Sequence, residues 1–336
     1  MSGDGREALV SERPSEMILT ARVARMYYLQ DRSKSDIALE VGVSRFKVAR
    51  LLDLARRTGI VNIDIRSVDS LDADLSLRLR STWGLEHAVV LDVPDDDHVQ
   101  LRRQLGESTA QLLMEIVSPS DVLGMAWSRA LSTVGDALER FVPCPVVQLT
   151  GALSRPDGSD ILGLVRRIAR LGGGSPYVFY APIVVPDAST ARALHRQPDV
   201  VRAMAQVRGV TIALVAVGSW APGLSTIYDT VEPADQLTAA KAGVAAEISG
   251  IFIDETGKAL RPPLRRRIVG IASEDLAKVR TVLAIAYDEA KADATRAALR
   301  SGLISGLVTH TGLARRLVDG SDMRTPQSQR QGPRQG

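Results

Sequence analysis

The chain has 336 residues, 45% of them hydrophobic and 24% charged, with a formal net charge of +3. That length suits about two domains, and the apolar fraction supports a sizeable core, which excludes a disordered or fibrous chain. The single cysteine, Cys144, sits in the apolar run VPCPVVQL; it excludes an internal disulfide framework and reads as a small core residue rather than a nucleophile or metal ligand.

Residues 1–15 are polar, with mixed charge, and are expected to form a loose tail. They do not read as a signal peptide, and no uninterrupted apolar run reaches the roughly 18 residues of a membrane span. A cytoplasmic protein with no membrane partner is expected. The first helix should run from Glu16 to Gln30, burying Leu19, Val23, Met26 and Tyr27 at helical spacing.

Next comes SKSDIALEVGVSRFKVARLLDLARRTG, residues 33–59. Ile37, Ala38 and Val41 give one short helix an apolar face, and Gly42 stands where the chain must turn. Ser44 is placed to cap a second helix, which has Val48, Leu51 and Leu52 on one side and Arg45, Lys47 and Arg50 on another. This is the pattern of a helix-turn-helix whose second helix enters a DNA major groove. Ser44, Arg45, Phe46 and Lys47 occupy its reading end, Arg50 can reach base or phosphate, and Lys34 adds a further cation. The plainer alternative is a pair of solvated amphipathic helices. The following IVNIDIRSV suggests a strand, as in a short wing. Residues 16–66 carry ten Lys/Arg against six Asp/Glu, so positive charge is concentrated where phosphate contacts require it.

Residues 67–83 read as a linker and connecting helix, with Leu71, Leu75 and Leu79 forming a stripe for packing or self-association. From residue 84 to 318 strands and helices alternate. Beyond the strand in GLEHAVVLDVP, strands are expected at Val122–Met125, Val146–Leu149, Tyr177–Tyr180, Ile212–Val217, Ile251–Ile253, Ile268–Ala272, Val282–Ala286 and Leu307–Val308. Apolar strands between amphipathic helices predict a Rossmann-like α/β domain, its largely parallel sheet covered on both faces. Residues 319–336 are rich in Gly, Pro and Gln and read as disordered.

In such sheets ligands gather beyond the carboxyl ends of strands. In LGMAWSRALSTV a strand ending at Gly124–Met125 passes through Trp127, Ser128 and Arg129 into a helix, and these groups suit a phosphate. LTGALSRPDG places Thr150 and Gly151 near a strand end, and GSWAPGLSTIY puts Gly218 and Ser219 after the strongest apolar run. Glu247 in AAEISGIFIDETG could accept sugar hydroxyls or be a helix-end charge. Lys291 in AYDEAKADATRAAL could meet a ligand anion or be solvated.

These segments, in this order and spacing, resemble the SorC family of bacterial sugar-responsive transcriptional regulators, over about Ala21 to Leu317. YAPIVV, ALVAVGS, RRRIVGIASEDLAKV and AALRSGLISGLVT belong to the same set. The resemblance implies an N-terminal DNA-binding domain and a larger effector domain like the sugar-phosphate isomerase and deaminase fold. It implies a phosphorylated sugar or polyol as effector, no cofactor and no metal, double-stranded operator DNA as partner, and a homo-oligomer, dimer or tetramer. On the family pattern the loop of Gly124, Ser128 and Arg129 takes the phosphate, Thr150 and Gly151 line the sugar, and Glu247 and Lys291 contact it from the far side.

The chain departs from that pattern in three ways. Tyr287 and Asp288 replace a pair of glycines, and His310 replaces an aspartate. There is no lysine from Leu51 to Ala240, which argues against the effector adduct on the central strands known in some members. The expected function is ligand-controlled transcription regulation rather than catalysis. The alternative is an isomerase-type enzyme with an accessory DNA-binding domain, for which Glu247, Asp254, His195 and His310 are the available acid–base groups.

Overall fold

The structure is a computed structural model and describes residues 14–61, 71–93, 97–153 and 160–319. The chain divides into two compact units, residues 1–66 and 67–336.

The first unit contains helices α1 (Pro14–Tyr28), α2 (Lys34–Val41) and α3 (Arg45–Arg57). Ser33 caps α2, its Oγ accepting from the Asp36 N–H at 3.2 Å. The helix stops at Gly42, whose φ of 70° is the left-handed conformation that glycine reaches without a steric penalty. Two residues later Ser44 caps α3 by accepting from the Lys47 N–H at 3.2 Å. Val23, Met26, Ile37, Val48, Leu51, Leu52 and Ala55 close a small core. The rest of the expected wing strand, residues 62–68, lies outside the described residues, as do most of both expected tails.

The second unit opens with α4 (Ala73–Trp83) and β1 (His87–Leu91), followed by α5 (His98–Ile116), β2 (Leu123–Met125), α6 (Arg129–Ala137) and β3 (Val146–Gln148). It continues with α7 (Ile161–Gly172), β4 (Pro176–Tyr177), α8 (Ala188–Leu194), α9 (Pro198–Val207) and β5 (Ile212–Ser219). Then come α10 (Thr226–Thr230), α11 (Pro233–Lys241), and three short strands β6 (Ala246–Ile248), β7 (Ile251–Ile253) and β8 (Ala259–Leu260). The last elements are α12 (Ser273–Leu276), β9 (Thr281–Ile285), α13 (Ala292–Arg300), β10 (Gly306–His310) and α14 (Thr311–Asp319). Short 3-10 turns lie at Pro263–Arg267, before α12, and at Glu289–Lys291, between β9 and α13.

Seven strands run parallel in the order β1-β10-β9-β5-β2-β3-β4. β5 is longer than its neighbours. Its residues Ile212–Ala216 pair with β9, and Val217, Gly218 and Ser219 run on to pair antiparallel with β6. The strands bury both faces, as near-continuous apolar runs such as IALVAV require.

The structure decides between two readings of the leucine stripe, corrects one expected strand and agrees with the reading of Cys144. The stripe of Leu71, Leu75 and Leu79 serves packing within this unit: Leu75 and Leu79 are buried in the main core and α4 lies against β1 and α14. Ile268–Ala272 forms no strand; Ile268 and Gly270 make isolated bridges to Val184 and Thr150, since a short apolar run does not by itself distinguish strand from buried loop. Cys144 is a core residue as expected, and burial pushes its thiol up to about 11.

Candidate functional site

A cleft partly open to solvent lies beyond the carboxyl ends of β2, β3, β5 and β9. β2 and β5 are neighbours in the sheet although far apart in the chain. The strands after β2 build outward on one side, while β5 begins the other, so the loops diverge and leave a crevice between them.

One wall is the β2–α6 junction, with Trp127, Ser128 and Arg129 on the cleft. Ser128 caps α6, accepting from the Leu131 N–H at 3.1 Å. Arg129 reaches across and donates through Nη2 to the Gly223 carbonyl at 3.0 Å. Gly124 does not line the cleft. It is buried within β2, where an added Cβ would meet Leu149 and Val210 side chains at 2.8 and 2.9 Å; close packing, not ligand approach, demands glycine there.

The opposite wall is the β6–β7 hairpin that hangs from the end of β5. Glu247 stands on β6 directly across from Gly218, and a Cβ on Gly218 would meet its Oε1 at 2.5 Å. The carboxyl is buried, 7% exposed, and both oxygens are engaged: Ser225 Oγ donates to Oε1 at 3.1 Å and the Gly250 N–H to Oε2 at 3.0 Å. Burial raises its pKa above the ordinary carboxylate value, against the lowering effect of those bonds and of Lys291. Glu247 is therefore a strand residue, not a helix-end charge.

Lys291 closes the base of the cleft. It is 8% exposed, not solvated; Nζ donates to the Val217 carbonyl at 3.3 Å and lies 4.9 Å from the Tyr287 ring centre. Burial lowers its pKa to about 8, opposed by Glu247 and assisted by Arg129. Tyr287 also lines the cleft, and the Arg102 guanidinium of α5 sits 5.9 Å from its ring centre. Asp288 has φ 78°, a glycine-like conformation held by its own side chain accepting from the Ala290 N–H at 2.9 Å. The two side chains that stand in place of glycines thus fill space beside the lysine.

Thr150 and Gly151 lie after β3. Gly151 has no room for a Cβ, which would meet Ile183 N and Pro182 backbone at 2.6 Å. Thr150 is 1% exposed and its Oγ1 has no hydrogen-bond partner. Ser225 and Ser249 also line the cleft and were not singled out from the sequence. Ser225 was detectable as a cap before a short helix, but Ser249 enters only through the turn between β6 and β7. Among the described residues no cluster of His, Cys, Asp and Glu is arranged to hold a metal, and no helix is long and apolar enough to cross a membrane.

In the first unit Ser44, Arg45, Phe46, Lys47 and Arg50 are all exposed on α3, and Phe46 is 84% exposed. Glu40 pairs with Arg22 and Arg32, and Asp53 with Arg56; among the described residues Arg45, Lys47 and Arg50 form no ion pair. Lys34 is half-buried, its Nζ 5.7 Å from the Tyr27 ring centre, which ties it to α1.

A family model described as "Putative sugar-binding domain" matches residues 70–319. The chain belongs to the SorC type of sugar-binding transcriptional regulators. It is 29% identical over 315 residues to the transcriptional regulator LsrR of Enterobacter sp. strain 638, covering 90% of this chain and 94% of that one. It is 26% identical over 305 residues to the uncharacterized transcriptional regulator YjhU of Escherichia coli K12, covering 87% and 92%. The full-length sorbitol operon regulator SorC of Klebsiella pneumoniae shares the fold, with a TM-score of 0.68 and 22% identity over 90% of this chain and 98% of that one. A domain of a possible sugar-binding transcriptional regulator from Arthrobacter aurescens TC1 superposes with a TM-score of 0.67 at 25% identity, covering 75% and 100%. This SorC-type chain is a transcriptional regulator with a sugar-binding domain, and the cleft lies in that domain.

Proposed function

We propose that this SorC-type chain binds operator DNA of a carbohydrate or polyol operon, and that a phosphorylated sugar or polyol in the cleft sets its affinity for that DNA. The observation that carries the reading is the convergence of Arg129, Lys291 and the buried carboxyl of Glu247 on one cleft. Two cations at strand and helix ends suit a phosphate group. A buried carboxyl and the unpartnered Thr150 hydroxyl suit sugar hydroxyls.

In this reading α2 and α3 are the helix-turn-helix, with α3 in the major groove and its first turn at base edges. Two copies of the chain would meet two half-sites, as a homo-oligomer, and no cofactor takes part. A ligand shifts DNA affinity only by its differential affinity for two conformations, and a coupling of ~1–3 kcal/mol changes operator binding by roughly 5- to 150-fold. The fold expected from the sequence, that of sugar-phosphate isomerases, would support an enzymatic reading. However, of the four acid–base candidates His195, Asp254 and His310 do not line the cleft and only Glu247 does.

Fluorescence anisotropy on DNA upstream of the gene and its neighbours, at fixed salt, tests the proposal. One sugar or polyol phosphate from a panel should change operator affinity. Tight binding indifferent to every compound would remove the effector, and turnover of a sugar phosphate without specific DNA binding would favour the enzyme.

A further inference from the structure

Ser249 and Gly250 are the two residues of the β6–β7 turn, since Ile248 pairs with Ile251. Both have positive φ, 53° and 82°, as the tight hairpin turn that suits strand twist requires. Such turns strongly favour Asn, Asp or Gly at the first position, because a left-handed backbone brings Cβ against the carbonyl. Gly250 fits. A serine at 249 does not, and its hydroxyl does not help the fold: Oγ is buried, the residue is 9% exposed, and it has no hydrogen-bond partner. Two separate costs, backbone strain and an unsatisfied polar atom, therefore fall on one side chain that lines the cleft.

Glu247 lies two residues away and receives the Gly250 N–H, so the turn fixes the carboxylate and the Ser249 hydroxyl in one rigid hairpin. Across the cleft, Thr150 Oγ1 is likewise buried without a partner. Arg129 and Lys291 are the cations of the same cleft.

We propose that Ser249 is a specificity-determining residue of the cleft whose hydroxyl, with that of Thr150, hydrogen-bonds the neutral, hydroxyl-bearing part of the ligand. This rests on the sugar-phosphate reading and adds to it. The cations select the anion. The two orphaned hydroxyls select what the anion is attached to, because a ligand lacking a matching polar group leaves both unpaired.

The test uses the full chain and four probes: inorganic phosphate, ribose 5-phosphate, glucose 6-phosphate and fructose 6-phosphate. Melting temperatures and calorimetric affinities are measured for wild type, Ser249→Ala and Ser249→Gly. Without ligand both variants should melt no lower than wild type, since alanine removes an unsatisfied hydroxyl and glycine also removes the left-handed strain. At least one sugar phosphate should bind wild type more tightly than phosphate alone, and both variants should lose about 5- to 10-fold of that affinity, the worth of one hydrogen bond, while keeping their affinity for phosphate. Wild-type affinity in both variants, with sugar-phosphate binding still lost in Arg129→Ala, overturns the role of Ser249 and leaves the cleft reading standing. A lower unliganded melting temperature for both variants makes Ser249 a structural residue and overturns the proposal. Failure of wild type to bind any of the four overturns the cleft reading itself.

Discussion

Ser225 donates through Oγ to Glu247 Oε1 at 3.1 Å while capping α10, where the same oxygen accepts from the Tyr228 N–H at 3.2 Å. One hydroxyl thus holds a helix start and a buried carboxyl together on the cleft. Glu247→Gln keeps the volume but replaces one acceptor oxygen by an amide donor that faces either Ser225 or Gly250. Sugar-phosphate affinity should fall about 10-fold, and stability by about 1–2 kcal/mol. Calorimetric titration and urea unfolding check the two figures separately.

Arg129 is the cation that already makes a cross-cleft bond, to the Gly223 carbonyl. An anion in the cleft competes for that guanidinium. Arg129→Ala should abolish the effector response while leaving operator affinity in the absence of effector unchanged, as read by anisotropy. A surviving response would place the anion elsewhere.

Gly218→Ala tests the β5 extension. The new Cβ would stand 2.5 Å from Glu247 Oε1 and 3.0 Å from Ser225 Cβ, so either the carboxyl or the α10 cap must move. A loss of about 1–3 kcal/mol is expected from such overpacking, together with loss of effector binding. Differential scanning calorimetry and titration check both.

The buried pair gives the fold two opposite pH slopes. The Glu247 pKa is raised in the folded state, so its contribution falls as pH climbs above the unfolded carboxyl value near 4.5. The Lys291 pKa is lowered from 10.5 to about 8, so the unfolded chain binds more protons between those values and stability from this group rises with pH across that window. Lys291→Met should remove the upper slope from a plot of unfolding free energy against pH. Affinity for an anionic ligand should weaken above about pH 8 in wild type, as the lysine loses its proton.

On α3, Arg45→Ala should weaken specific DNA binding by ~1–3 kcal/mol if the side chain meets a guanine edge. An equal loss on random duplex reassigns it to a phosphate.

Much of this was legible before any coordinates. Gly42 and Ser44 mark a turn and a cap, because each residue type answers a specific backbone need; the matching cap at Ser33 was not read from the sequence. Arg129, Thr150, Gly151 and Lys291 were legible as residues of loops and helix starts that follow strands, and Glu247 as a lone acid in a stretch of small residues. What escaped was set by long-range pairing. Gly124 is a glycine because of Leu149 and Val210, 25 and 86 positions onward, and no local pattern reports that. The strand containing Glu247 is three residues long and exists because β5 overruns its parallel partners. Ser249 reads as an ordinary small residue until the hairpin register puts it at a left-handed turn position. Whether Lys291 met a ligand anion or solvent stayed open in the sequence, since nothing in its own helix shows that Tyr287 and the Val217 carbonyl enclose it.

Among the described residues, the wall that carries Glu247 and Ser249 pairs with the main sheet along Val217, Gly218 and Ser219, with one more backbone bond from Trp220 N–H to the Ala245 carbonyl. Its amides should therefore exchange with solvent as a separate cooperative unit, opening at lower free energy than the parallel strands. One wall of the cleft is then a seam in the sheet, and a ligand that bridged it should stitch two exchange units into one.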